Sequence, residues 1–152
     1  MSGSNRGFWK VVLPLVVGGI LLVVLVLVSR PIARTGAVAY AQANLRRAAE
    51  AAEDLATEGS LADADRETLA TRGGVDDLLL IDPDQSSNDP EVVSVLATRG
   101  VWTGSARAET GKCFWIRIAA GAGGSFGTLY GTGTDCSADE ASEAPPGAWQ
   151  DP

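Results

Sequence analysis

The chain has no histidine among its 152 residues. The usual catalytic triads and histidine acid–base steps are therefore excluded, and zinc sites lose their commonest nitrogen ligand. Cysteine occurs twice, as Cys113 and Cys136, with no Cys-x-x-Cys pair. No Asp or Glu precedes Glu50, so all nineteen acids lie in the distal part, which carries the net charge of −7. Such a surface repels nucleic acid and anionic headgroups, and no nucleic-acid partner is expected. Glycine is plentiful from Gly121 to Gly133, but Phe126 stands where a dinucleotide cradle needs its third glycine, and no Gly-Lys-Ser/Thr follows. Turns and close packing explain these glycines. The carboxylates give no sign of a converging pair, and no enzymatic role and no cofactor are expected.

What is present begins with a long uncharged run. Val11 to Val28 are eighteen residues without a charge, fifteen of them Val, Leu or Ile. As a helix they span about 27 Å, enough to cross a bilayer. A leader of residues 1–10 precedes this transmembrane helix, 11–28. Ala37-Val38-Ala39 before Tyr40 has the form of a signal-peptidase site. The apolar run is longer than a signal's, however, and Arg30 and Arg34 intervene. After Ser29-Arg30-Pro31 an Ala-rich stretch sets Val38, Ala41, Leu45, Ala48, Ala52 and Leu55 alternately three and four apart. That spacing predicts a membrane-proximal amphipathic helix within 29–59, ending at Gly59. Basic residues flank the apolar run on both sides, so charge alone leaves its orientation open.

Residues 60–136 read as a small α+β domain. Asp63 and Asp65 are candidate N-caps of a short helix running to Ala70 or Thr71. Leu78 to Ile81 is a brief apolar run, and Asp82 to Pro90 is dense in turn formers. The oxygens of Asp82, Asp84, Ser86, Asn88 and Asp89 would suit Ca²⁺, but Ser87 and Val93 occupy the Gly and Glu positions of an EF-hand loop, so a polar turn is the simpler reading. Strands are predicted over 91–98, 101–108 and 112–119, with a shorter one over 126–130, giving an antiparallel meander. In the third, Phe114, Ile116 and Ile118 share the face expected beneath the long helix, and Cys113, Trp115 and Arg117 share the other. A Cys113–Cys136 disulfide would close a loop of about 24 residues and contribute roughly 3 kcal/mol in an oxidising compartment; two buried free thiols are the alternative. Residues 137–152 have the small, acidic, Pro-containing composition of a disordered tail, in which Trp149 reads as a lone exposed aromatic, with a docking residue as the alternative.

Several of these stretches also carry a family resemblance. Arg6-Gly7-Phe8, the apolar run, the basic break and Ala41-Gln42-Ala43-Asn44-Leu45-Arg46 leading to Glu58-Gly59-Ser60 resemble the amino-terminal half of type IV pilins and type II secretion pseudopilins. The strand Cys113 to Arg117 and the segment Tyr130 to Cys136 resemble the later part of some pilin-like proteins. The resemblance implies a pilin-like fold, with a long helix on an antiparallel sheet and a disulfide near the carboxy end. It also implies prepilin-peptidase cleavage between Gly7 and Phe8, and subunit packing through the amino-terminal helix. Two positions depart from the pattern: the family's acid at mature position five falls on Val12, and the apolar third position on Lys10. The expectation is a single-pass protein of the cell membrane, amino terminus cytoplasmic and domain outside. It acts as a structural component of a pilus or secretion assembly, or as a free-standing anchored binding module. Its partners are membrane lipid and pilin-like subunits.

Overall fold

The structure, a computed structural model, describes residues 36–147 and 149, together with Val16 and Ile20. The chain divides into the units Met1–Thr35 and Gly36–Pro152. In the first, Val16 and Ile20 are helical and exposed. The leader with Gly7, Phe8 and Lys10, and Val12 with the rest of the expected span, lie outside the described residues. Among the described residues no helix is long and apolar enough to cross a membrane.

The second unit opens with helix α1, residues 36–58. The three-and-four spacing of its apolar residues puts Ala41, Leu45, Ala48, Ala52 and Leu55 on one buried face, while Arg46, Glu50 and Asp54 stay exposed. The helix stops at Gly59, whose N–H donates to the Leu55 carbonyl at 3.0 Å. A Cβ at Gly59 would come within 2.6 Å of the Asp63 carboxylate, which itself accepts from the Ser60 N–H at 2.8 Å. A single 3-10 turn, Leu61–Asp63, leads to α2, Arg66–Leu69. Asp65 is the N-cap of α2, accepting from Thr68 N–H at 2.8 Å.

Five strands follow in the sheet order β1-β2-β3-β4-β5: Leu79–Ile81, Val92–Ala97, Val101–Arg107, Cys113–Ala120 and Phe126–Gly133. From β2 onward each pair is antiparallel, as the meander predicts. The sheet as a whole is mixed, because β1 pairs parallel with β2, Leu79 opposite Val92. Three residues are too few for a period to declare a strand. The direction of pairing is decided by the loop 82–91, which is long enough to carry the chain back to the same end of the sheet. β5 also runs three residues beyond the expected Tyr130, its glycines included, because Gly131 pairs with Trp115 and Gly133 with Cys113.

The pleat separates two faces. Val93, Val95, Trp102, Ala106, Phe114, Ile116 and Ile118 form one core with the apolar face of α1, Leu61, Leu69 and Val75. Trp102 lies across Gly104, where a Cβ would be 2.6 Å from the ring, and its Nε1 donates to the Ala64 carbonyl at 3.1 Å. The opposite face carries Ser94, Thr103, Ser105, Trp115 and Arg117. It is covered by a third helix, α3, Ala138–Glu143, through the buried Ala138 and Ala141.

That helix corrects the expectation of a disordered tail for residues 137–147; residues 148 and 150–152 lie outside the described residues. Low hydrophobicity argues against a self-sufficient core, yet two alanines three apart are all a helix needs to lie on a sheet already built. Ser137 caps it, accepting from Glu140 N–H at 3.3 Å. Trp149, expected exposed, is 8% exposed and belongs to the core on the α1 side.

Candidate functional site

Cys113 opens β4 and Cys136 follows β5, with their Cα atoms 5.1 Å apart at disulfide distance. Several bonds converge on this point. Ser87 N–H donates to the Cys136 carbonyl at 3.0 Å, Cys136 N–H to Ser86 Oγ at 3.3 Å, and Arg107 Nε–H to Cys136 Sγ at 3.4 Å. The buried Ser87 hydroxyl donates to the Val92 carbonyl at 2.6 Å and accepts from Arg107 N–H at 3.0 Å. Asp139 N–H reaches the Pro83 carbonyl at 3.0 Å, and Ala138 N–H reaches Ser94 Oγ at 2.9 Å. The polar loop 82–90 thus uses its groups to fasten α3 and β3. Its carboxylates act elsewhere: Asp82 pairs with Arg66 of α2 at 3.0 Å, and Asp89 accepts from Glu91 N–H at 2.9 Å within the loop's own turn. Among the described residues no group of three or more acid, His or Cys side chains is placed to hold a metal ion.

Past α3 the chain rounds the free edge of β5. The helix ends because Ala144 precedes Pro145, which bars the helical conformation, and Ala144 is extended at φ −64°, ψ 141°. Gly147 N–H then donates to the Tyr130 carbonyl at 2.9 Å. Trp149 inserts beside it. Its indole N–H is shared between the carbonyls of Gly131 at 3.0 Å and Trp115 at 3.2 Å. Its ring meets Tyr130 edge-on at 4.8 Å and Phe114 at 6.0 Å, and the Arg46 guanidinium lies 5.1 Å from its centroid. This socket is built by α1, β4 and β5 together. On the reverse face Trp115 covers Gly131, where a Cβ would stand 2.1 Å from its ring, and the Arg117 guanidinium stacks over it at 5.0 Å. Arg117 also donates to the carbonyls of Ala141 and, at 3.0 Å, Ala144, holding the end of α3.

Exposed charge fastens α1 to the segment after α2. Arg47 donates to the Gly74 carbonyl and to Asp77, and Arg72 to Glu58 at 2.7 Å. The hydrogen bond from Arg47 holds the Asp77 carboxyl below its ordinary pKa, and that from Arg72 does the same for Glu58. Tyr40 donates to Glu91 at 2.7 Å, which pushes the phenol's pKa up. An open cleft of about 370 Å³ lies between Asp65–Glu67, Asp82–Pro83 and Val95–Ala97. Its one arginine, Arg66, is engaged by Asp82.

Of the residues singled out in the sequence, Cys113 and Cys136 are brought together, whereas Gly7, Phe8, Lys10 and Val12 lie outside the described residues. Missed in the sequence were Trp149 as an anchor and the Trp115–Gly131 pair. The available signal was a tryptophan placed just after Pro-Pro-Gly in an otherwise small and acidic segment. Comparison with protein-family models, with curated proteins and with solved structures finds no match to this chain.

Proposed function

We propose that this chain is a membrane-anchored, non-enzymatic structural subunit of the pilin-like or minor pseudopilin-like kind, serving a type IV pilus or type II secretion-type assembly. In this reading residues 11–28 span the membrane once, the amino terminus is cytoplasmic, and the domain from Thr35 onward stands outside. The observation that carries it is the uncharged run Val11 to Val28 leading into α1, whose apolar face packs against a sheet closed by Cys113 and Cys136. A disulfide-distance pair accords with an oxidising compartment. The amino-terminal helix would contact lipid and neighbouring subunits.

A second reading rests on Lys10 and Val12: a free-standing anchored binding module that never enters a filament. In an assembling pilin the acid at that position meets a neighbour's amino terminus, offsetting an insertion cost of about 2.5 to 3.5 kcal/mol for a lone carboxylate. Val12 removes both the cost and the pairing. Intact-mass measurement of the chain from native membranes separates the two. A start at Phe8 supports the assembling subunit, and an uncut leader supports the free-standing module. Recovery of the whole chain in the supernatant after carbonate washing of membranes would defeat both.

A further inference from the structure

We propose that the open cleft beside α2 is a peptide-docking notch, in which an extended segment of a partner protein carrying Arg or Lys continues the line of β1 along β2. β1 stops short of its neighbour. It pairs with β2 only from Leu79 opposite Val92 to Ile81 opposite Ser94, whereas β2 runs on to Ala97 in register with β3. In a parallel pair, every second residue of a strand turns both its backbone groups to the same neighbour. Leu79 N–H donates to the Glu91 carbonyl, so the odd-numbered residues of β2 face β1. The next residue of β1 in this series is position 83, which would donate to the Val95 carbonyl and accept from Ala97 N–H. That residue is Pro83, which has no N–H to give. The chain turns off there, with the Pro83 carbonyl accepting from Asp139 N–H at 3.0 Å. Among the described residues, the Val95 carbonyl and the Ala97 N–H are left without a partner.

What surrounds these two groups fits a cationic guest. The aliphatic run Val95 to Ala97 floors the cleft, and three carboxylates, of Asp65, Glu67 and Asp82, stand on its rim against one cation, Arg66. Arg66 lies 3.0 Å from Asp82 and 3.6 Å from Glu67, so the rim already holds one guanidinium and keeps negative charge in excess for a second. Side-chain alternation sets where that second cation enters. A guest residue opposite Leu96 has its two neighbours on the face of Val95 and Ala97, the face that packs with Leu69 of α2. An Arg or Lys at either neighbour meets the carboxylates beside α2. Main-chain bonds to Val95 and Ala97 then supply affinity for extended chain, and the rim supplies the preference for positive charge. The proposal does not rest on the membrane reading, since every residue it uses lies in the domain.

The test titrates the full-length chain, in an uncharged detergent, with the peptide acetyl-Thr-Arg-Val-Arg-Thr-amide and follows binding by calorimetry. Saturable binding at one site is expected, and the same peptide with Glu in place of both Arg should not bind. Methylating the amide nitrogen of the central Val removes the donor to Val95 and leaves the peptide's charge unchanged, so affinity should fall about fivefold or more. Ala97→Pro removes the opposing donor and breaks no bond of the sheet, because the backbone groups of Ala97 face away from β3. It should weaken binding to a similar degree. Arg66→Gln, which withdraws the chain's own cation from the rim, should tighten binding several-fold, and Glu67→Gln should loosen it. Absence of binding would overturn the proposal. So would equal affinity for the methylated and unmethylated peptides, which would reduce the interaction to attraction between a cationic peptide and an acidic domain.

Discussion

Glycine and tryptophan are matched residue by residue in this domain. Trp102 lies over Gly104 and Trp115 over Gly131, each ring occupying the space a side chain at the glycine would take. Gly131→Val should therefore cost about 3 kcal/mol, because the ring must leave a packed face and β4–β5 pairing is lost with it. Urea denaturation of the full chain reads this directly, and a midpoint equal to wild type would show that the ring has room to move. Trp149→Ala removes a core indole at the other face of the same strand pair and should cost about 3 kcal/mol. Charged residues act more weakly. Asp77 and Glu58 have folded pKa values below their ordinary ones, so their contribution is present above the unfolded carboxylate range and is lost as pH falls through the folded values. Both are solvent-exposed, and the effect is small. Denaturation midpoints followed downward from pH 5 should fall less steeply in Asp77→Asn than in wild type. Parallel slopes would count against a role for the Arg47 pair.

At the scale of elements, the cysteine pair and α3 act as one clasp. Cys136 sits at the junction of β5 with α3, and its backbone holds Ser86 and Ser87 of the polar loop. Cys113→Ser should lower stability by roughly 3 kcal/mol through the unfolded chain's regained freedom. The native domain should also change locally, since α3 rests on two small alanines and a few hydrogen bonds. Hydrogen exchange over 137–147 is expected to quicken more than exchange in β2 to β4. Uniform quickening across the sheet would show that the clasp is not a separate unit. β1 belongs to the same logic: its parallel pairing with β2 depends on the loop that Ser87 anchors, so Ser87→Ala should loosen Leu79–Ile81 before the antiparallel strands.

For the whole molecule, the proposed anchored reading turns on which side of a membrane the domain occupies. The proposed topology puts everything from Thr35 outward, and protease added to intact spheroplasts should remove it. Protection until lysis would reverse the orientation and remove the oxidising environment that the cysteines need. If the leader is cut at Gly7, Val12→Glu should raise incorporation into filaments by giving a neighbour's amino terminus its partner. If it is uncut, the same change should only weaken insertion, because the new carboxylate meets no free amine.

Period, composition and punctuation are local properties, and they determined the local outcomes: the apolar face of α1, its end at Gly59, the Asp65 cap, the antiparallel strands β2 to β4 and the face carrying Phe114, Ile116 and Ile118. The cysteine pair was legible too, because the chain holds only two cysteines and each has the other as its one available partner. Tertiary structure alone decided the parallel edge β1, whose three residues have no period to read. It alone decided that Gly131 and Gly133 belong to a strand, because their place beside Trp115 and Cys113 is a matter of pairing across the sheet. It also decided the fate of residues 137–147 and of Trp149, where composition speaks for disorder. There the chain is held by surfaces made elsewhere, with Ala138 and Ala141 on a finished sheet face and Trp149 in a socket contributed by three separate elements. A segment that borrows its core from distant residues leaves only its tryptophan as a trace in the sequence.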